Sequence, residues 1–153
     1  MAGAPVEPEP TIRPASAGDR QSILELWLEL IAHHDRLDPE GAARPIDREA
    51  LLAEFTRSLE RPQHRVWLAR EAGRAIGFVS AEIDGATGWI HELYVVEGWR
   101  RRGLARALVQ VSGGWLRESG AGSVRVRVEP MNRVGLEFWA RQGFSERARI
   151  LEG

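Results

Sequence analysis

Between Val95 and Leu108 the chain reads VVEGWRRRGLARAL, which sets Arg100, Arg101, Arg102 and Arg106 around Gly103 just ahead of an apolar pattern of helical period. A helix start leaves backbone N–H groups without intrahelical partners and carries about half a positive charge. Glycine lets an anion approach the backbone closely, and the guanidinium groups add charge-assisted donors around it. This is the composition of an anion cradle. The alternative, a solvated basic first turn, is weakened because cations are unfavourable at a helix N-terminus. Gly98 and Gly103 share the glycine spacing of a P-loop, but Leu104 and Ala105 stand where lysine and serine or threonine would hold phosphate and metal. The dinucleotide fingerprint G-x-G-x-x-G fails as well, because a single glycine is in place and the preceding strands read as antiparallel.

Two absences narrow the chemistry. The chain has no cysteine, which removes disulfides, thiolate metal sites and an acyl-cysteine intermediate. It also has no lysine, so all 21 basic residues are arginines and no side-chain amine can act as nucleophile or Schiff base. An enzyme of this composition receives its nucleophile with the substrate. His33 and His34 are adjacent and diverge on a helix, so they do not chelate one metal ion, and no metal is expected. The net charge of −1 argues against a general polyanion binder, and no nucleic-acid partner is expected.

The elements that must position these residues follow from periodicity. Residues 1–10 read as a disordered, proline-rich tail and 11–153 as one domain; 153 residues suffice for a packed core without staples. Thr11–Arg13 is a short strand. Ser16 and Asp19 have capping-box spacing ahead of a helix through about His34, and Asp47 caps a second helix that presents Leu51, Leu52, Phe55 and Leu59. Arg65–Arg70, Ala75–Ile83 and Trp89–Val96 form a meander joined by the glycine turns in EAGR and DGATG. A helix from Gly103 to a cap at Gly120, a strand in SVRVRV, a helix Val134–Arg141 stopped by Gly143, and a last strand over Phe144–Leu151 complete the order. No apolar run reaches the ~18–20 residues of a membrane span, and the N-terminus lacks a signal peptide's regions, so a cytoplasmic protein with no membrane partner is expected.

The segment LYVVEGWRRRGLARAL resembles the coenzyme motif of the GNAT superfamily of acetyl-CoA-dependent N-acetyltransferases, V-x-P-x-x-R/Q-x-x-G-x-G/A. Val95, Arg100, Gly103 and Ala105 match, while Glu97 replaces the usual proline. VRVEPMNRVGLEFWARQGF is similar to a second family stretch, with Val128, Asn132, Phe138, Trp139, Gly143 and Phe144 in register. The resemblance implies an α+β fold whose central mixed, largely antiparallel sheet is flanked by helices and splayed between strands 4 and 5. It implies acetyl-CoA as cosubstrate. Pantetheine would lie along the backbone of Leu93, Tyr94 and Val95, with an N–H near Val95 as oxyanion donor. The diphosphate would lie on the amides from Arg101 through Gly103, Leu104 and Ala105 to Arg106, with Arg100 beside it. Asn132 and Phe138 would border the coenzyme from the far side, although plain core packing explains Phe138 equally well.

The same resemblance implies direct attack by an amine, which requires a base. The family position for an acid in the acceptor site is His91 here, and Glu92 follows it; on a regular strand the two point to opposite faces unless a bulge rotates one. Either residue, or neither, fits at this stage. Many family members carry a tyrosine after the phenylalanine of the last helix to protonate the leaving thiolate. Trp139 stands there, and its indole is no such acid, which leaves Tyr94, the single tyrosine, or solvent. The acidic stretch AHHDRLDPE is expected near the acceptor mouth, with Trp27 and Trp89 as pocket walls or, for Trp27, core. The acceptor is an amine, small or protein-borne; a coenzyme-binding module without catalysis is the alternative function, and a homodimer is compatible with the chain.

Overall fold

In a computed structural model the residues described are 9–39 and 45–153, so most of the expected N-terminal tail, and Glu40 of the acidic stretch, lie outside them. The element order is β1 (Thr11–Pro14), α1 (Arg20–Leu37), α2 (Arg48–Glu60), β2 (His64–Glu71), β3 (Arg74–Asp84), β4 (Thr87–Val95), α3 (Leu104–Glu118), β5 (Ser123–Val126) and α4 (Arg133–Arg141). The local signals act as their chemistry dictates. Ser16 N–H donates to Asp19 Oδ2 at 2.8 Å, and Asp47 Oδ1 accepts from Ala50 N–H at 3.0 Å. The β2–β3 hairpin turns on Ala72 and Gly73, both at positive φ (48° and 79°), the pairing that suits a two-residue turn to the twist of its strands. Two short 3₁₀ turns, Ala17–Asp19 and Glu97–Trp99, precede α1 and α3. α1 continues to Leu37, beyond the His34 end expected.

The strands form one sheet in the order β1-β2-β3-β4-β5, antiparallel except for the parallel β4–β5 pair. Strand alternation assigns its two faces. Gly88 lies against α3, where an added Cβ would meet Leu116 at 3.0 Å, and Gly77 meets Leu108 of the same helix. Phe78, Ser80 and Glu82, of opposite parity on β3, face α1 and α2. The core runs through both layers and includes Ile23, Leu26 and Phe55 on one side and Leu108 and Leu116 on the other.

The expected last strand over Phe144–Leu151 does not form. Phe144, Ala148 and Ile150 share one face of such a strand, but Glu146 interrupts it, and Ile150 and Leu151 stand 78% and 91% exposed. Arg149 and Glu146 pair locally at 2.6 Å instead. Phe144 alone anchors the segment, edge-on to Trp139 with ring centroids 4.9 Å apart.

Candidate active site

β4 carries two irregularities, and the site is built on them. The β3–β4 register passes from Ala81↔Ile90 to Val79↔Leu93, so Ser80 alone opposes both His91 and Glu92. This two-against-one count is a β-bulge, which re-aims side chains that regular alternation would send to opposite faces. His91 and Glu92 accordingly line the same cleft. The second irregularity is on the other edge: the β4–β5 ladder ends at Ile90↔Val126, while β4 continues to Val95. Beyond Ile90 the two strands are no longer paired, which is the splay the fold was expected to show.

The cleft, about 380 Å³, lies between the sheet and the α1–α2 layer. Trp27 of α1 and Phe55 of α2 give apolar walls, Phe78 and Ser80 form sheet-side lining, and Glu54, Arg57, Arg61, His64 and Glu82 bring charge. Arg61 Nη2 pairs with Glu82 Oε2 at 2.8 Å, and His91 Nε2 approaches Glu82 Oε1 at 3.8 Å. Glu92 is held by Ser80, itself 3% exposed: the Ser80 Oγ accepts from the Glu92 N–H at 3.2 Å, and its O–H donates to Glu92 Oε2. Burial pushes the Glu92 carboxyl above the usual carboxylate range, against the opposing effects of the Ser80 hydrogen bond and the nearby His91. Burial pushes the His64 imidazole down, and its Nδ1 is enclosed with no hydrogen-bond partner.

On the splayed edge the backbone is oriented for an extended ligand. Val96 N–H donates to Ile76 O at 2.9 Å, so the alternation of an antiparallel ladder turns the N–H and C=O of Val95 and Leu93 away from β3, toward the gap. Arg100 Nε donates there to Val95 O at 3.0 Å, and its guanidinium lies over the Tyr94 ring at 5.6 Å. Gly103, at φ 82°, is the N-cap of α3; no side chain caps this end, and nothing lies within 4 Å of the space a Cβ would take. Leu104, Ala105 and Arg106 thus offer the free N–H groups of a first turn. Arg101 also holds a positive φ of 62°, a conformation uncommon for a residue other than glycine. Arg102 stacks on Trp99 at 4.7 Å, while Arg101, Arg102 and Arg106 are exposed around Gly103. The geometry of this end fits a diphosphate.

Other expected site residues have structural partners. Tyr94 donates its phenol O–H to Glu29 Oε2 at 3.0 Å; burial, then the Glu29 carboxylate, push its pKa up. Asn132 caps α4, its Oδ1 accepting from Gly135 N–H at 2.9 Å. Phe138 is half-buried and packs edge-on against Trp139, which is core. Trp27 is both: it packs against the core and lines the cleft. The described part of the acidic stretch, most of it the C-terminal end of α1, does not line the cleft; Trp27 of α1 and the residues of α2 supply those walls. Ser80, Glu82, His64 and the polar face of α2 were not singled out from sequence. Ser80 had a signal, as a lone hydroxyl within the apolar run IGFVSA; the others are ordinary polar residues until the fold gathers them.

One strand thus combines a bulge that brings His91 and Glu92 to one cleft with an unpaired edge beyond Ile90, and the uncapped N-terminus of α3 follows it in the chain. The family model for the acetyltransferase (GNAT) family matches residues 27–144, and the chain belongs to that family of acetyl-CoA-dependent acetyltransferases. A search of curated proteins by sequence finds no match. Among solved structures the chain is similar to the aminoglycoside N-acetyltransferase AAC(6')-Iy in complex with CoA, at 20% identity and a TM-score of 0.79 over 98% of this chain and 97% of that one. It is also similar to an aminoglycoside acetyltransferase from an uncultured soil metagenomic sample in complex with sisomicin (15%, TM-score 0.71, 94% and 93%) and to a transcriptional regulator from Bacillus halodurans (14%, TM-score 0.77, 95% and 99%). At these identities the likeness is one of fold.

Proposed function

We propose that this protein transfers the acetyl group of acetyl-CoA to a primary amine bound in the α1–α2 cleft, with Glu92 as the base. The observation that carries the reading is that one strand, β4, presents Glu92 to the cleft and an unpaired edge to the gap at the same point. Leu93 and Val95 would pair with the pantetheine arm as an added strand, the Val95 N–H would stabilise negative charge on the thioester oxygen, and the first turn of α3 with its arginines would hold the diphosphate. The acceptor nitrogen forms the new C–N bond as the thioester C–S bond breaks, and Glu92 takes the proton that the nitrogen must lose. A carboxyl raised by burial is better matched to that task than an exposed one. His91 lies nearer the rim beside Glu82, where a proton can pass to water.

CoA release followed with a thiol reagent across a panel of amines tests this. Acetyl-CoA-dependent release with at least one amine is expected. Tight coenzyme binding with no release for any amine would contradict it and favour a non-catalytic module.

A further inference from the structure

Trp89, Arg125 and Arg127 do not line the cleft, but they adjoin it through Glu82, and they form a cationic pair on an indole that the amine chemistry does not explain. Trp89 is the direct β3–β4 partner of Glu82 and the β4–β5 partner of Arg125. Two guanidinium groups converge on its indole, Arg127 at 4.9 Å and Arg125 at 6.0 Å from the ring centroid. Among the described residues neither has a carboxylate within ion-pair distance. Glu82, the strand partner of Trp89, is paired with Arg61 and close to His91. Both arginines are exposed, and two guanidinium groups held over one ring offer charge-assisted donors that a bound anion can take together. Arg127 also lies one residue beyond the last β4–β5 pair, so it stands at the mouth of the splay.

We propose that Trp89, Arg125 and Arg127 form an anion subsite for the acceptor, whose substrate class is a small primary amine carrying a distal carboxylate or phosphate. The inference rests on the acetyl-transfer reading above. At about 3.3 Å per residue, Trp89 lies roughly 7–10 Å along β4 from Glu92, the span of a short aliphatic chain. An amine over Glu92 and an anion over Trp89 satisfy both ends of such a molecule, while a second ammonium at the far end meets two arginines.

A matched series tests the proposal: aminohexanoate, aminohexyl phosphate, hexylamine and diaminohexane share chain length and differ only at the distal group. Wild type is expected to acetylate the two anionic amines with kcat/KM about tenfold or more above hexylamine, and diaminohexane least; the ratio between the anionic pair identifies carboxylate or phosphate as the better fit. Arg125→Gln/Arg127→Gln is expected to remove that preference, lowering kcat/KM for the two anionic amines about tenfold more than for hexylamine, and Arg127→Glu to raise diaminohexane above aminohexanoate. Equal effects of these variants on all four amines, or a wild-type preference for diaminohexane, would overturn the subsite. Tryptophan emission gives a readout without turnover: glutarate should shift it in wild type and not in Trp89→Phe or the double glutamine variant. If no amine is acetylated but glutarate shifts the emission, the acetyl-transfer reading fails and the anion site stands; turnover without charge preference or glutarate response leaves acetyl transfer standing and rejects the site.

Discussion

Replacing Ser80 with alanine removes one oxygen atom and should separate positioning from mere packing. The hydroxyl does two things at the bulge: it accepts the Glu92 N–H at 3.2 Å and donates to the Glu92 carboxylate. Hydrogen bonds to charged groups contribute about 1.5–3 kcal/mol, which corresponds to roughly 10–100-fold in rate if the carboxylate is the base. The sign is fixed by the proton. Ser80 favours the charged form of Glu92, so Ser80→Ala raises its pKa further, and the acid limb of the kcat/KM profile moves to higher pH. The loss is therefore greatest on the acid side and shrinks as pH rises and the carboxylate ionises. Coenzyme affinity should hold, because Ser80 faces the α1–α2 layer and the coenzyme gap is on the strand's edge. Ser80→Thr keeps the hydroxyl and should restore the limb. The assay is CoA release as a function of pH, with a CoA titration beside it. A uniform loss at every pH, equal in Ser80→Ala and Ser80→Thr, or no loss at all, would refute the reasoning.

Tyr94→Phe should leave turnover within about twofold, since a phenol bonded to Glu29 and raised in pKa is a poor proton source for a thiolate; a fall of tenfold or more would assign Tyr94 the acid role. Gly103→Ala places a side chain at φ 82° in the open space over the α3 N-terminus. It should cost about 1 kcal/mol in thermal or chemical unfolding and weaken CoA binding, whereas Gly98→Ala, with open space and no such φ, should do neither. The Asp19 carboxyl is held below its usual range, first by the Ser16 N–H and also by Arg70. Its stabilisation is present above the ordinary carboxylate pKa and is lost as pH falls through the depressed one. Asp19→Asn keeps an acceptor for Ser16 but loses the charge that pairs with Arg70, so it should destabilise by up to about 1 kcal/mol near neutrality, and the gap to wild type should close on acidification in denaturant melts.

Much of this architecture was legible because its signals are local. Positive-φ turns at Ala72–Gly73 and Gly85, the Ser16–Asp19 and Asp47 caps, and the Gly120 and Gly143 helix stops each act within a few residues. The anion cradle was legible for the same reason, since glycine, arginines and helix start are contiguous. The cleft was not, because its walls come from α1, α2, β3 and β4, and nothing in REALLAEFTRSLE says that Glu54 and Arg57 will face Glu92. The ambiguity between His91 and Glu92 was also beyond local rules: it depends on a bulge set by how β3 pairs with β4, which admits both to one cleft. The last strand failed for the opposite reason. The alternation of Phe144, Ala148 and Ile150 is a plausible local strand pattern, but no strand among the described residues pairs with it, and tertiary packing kept only Phe144.

Whether the half-buried carboxylate at the bulge accepts the acceptor's proton is tested by comparing Glu92→Gln with His91→Ala in acetyl-CoA-dependent CoA release, with coenzyme affinity measured on the same samples. Glu92→Gln is expected to lose turnover by about a hundredfold or more, to bind CoA as wild type does and to lose the acid limb of the pH profile, while His91→Ala retains most activity. Wild-type turnover in Glu92→Gln with its loss in His91→Ala would contradict it.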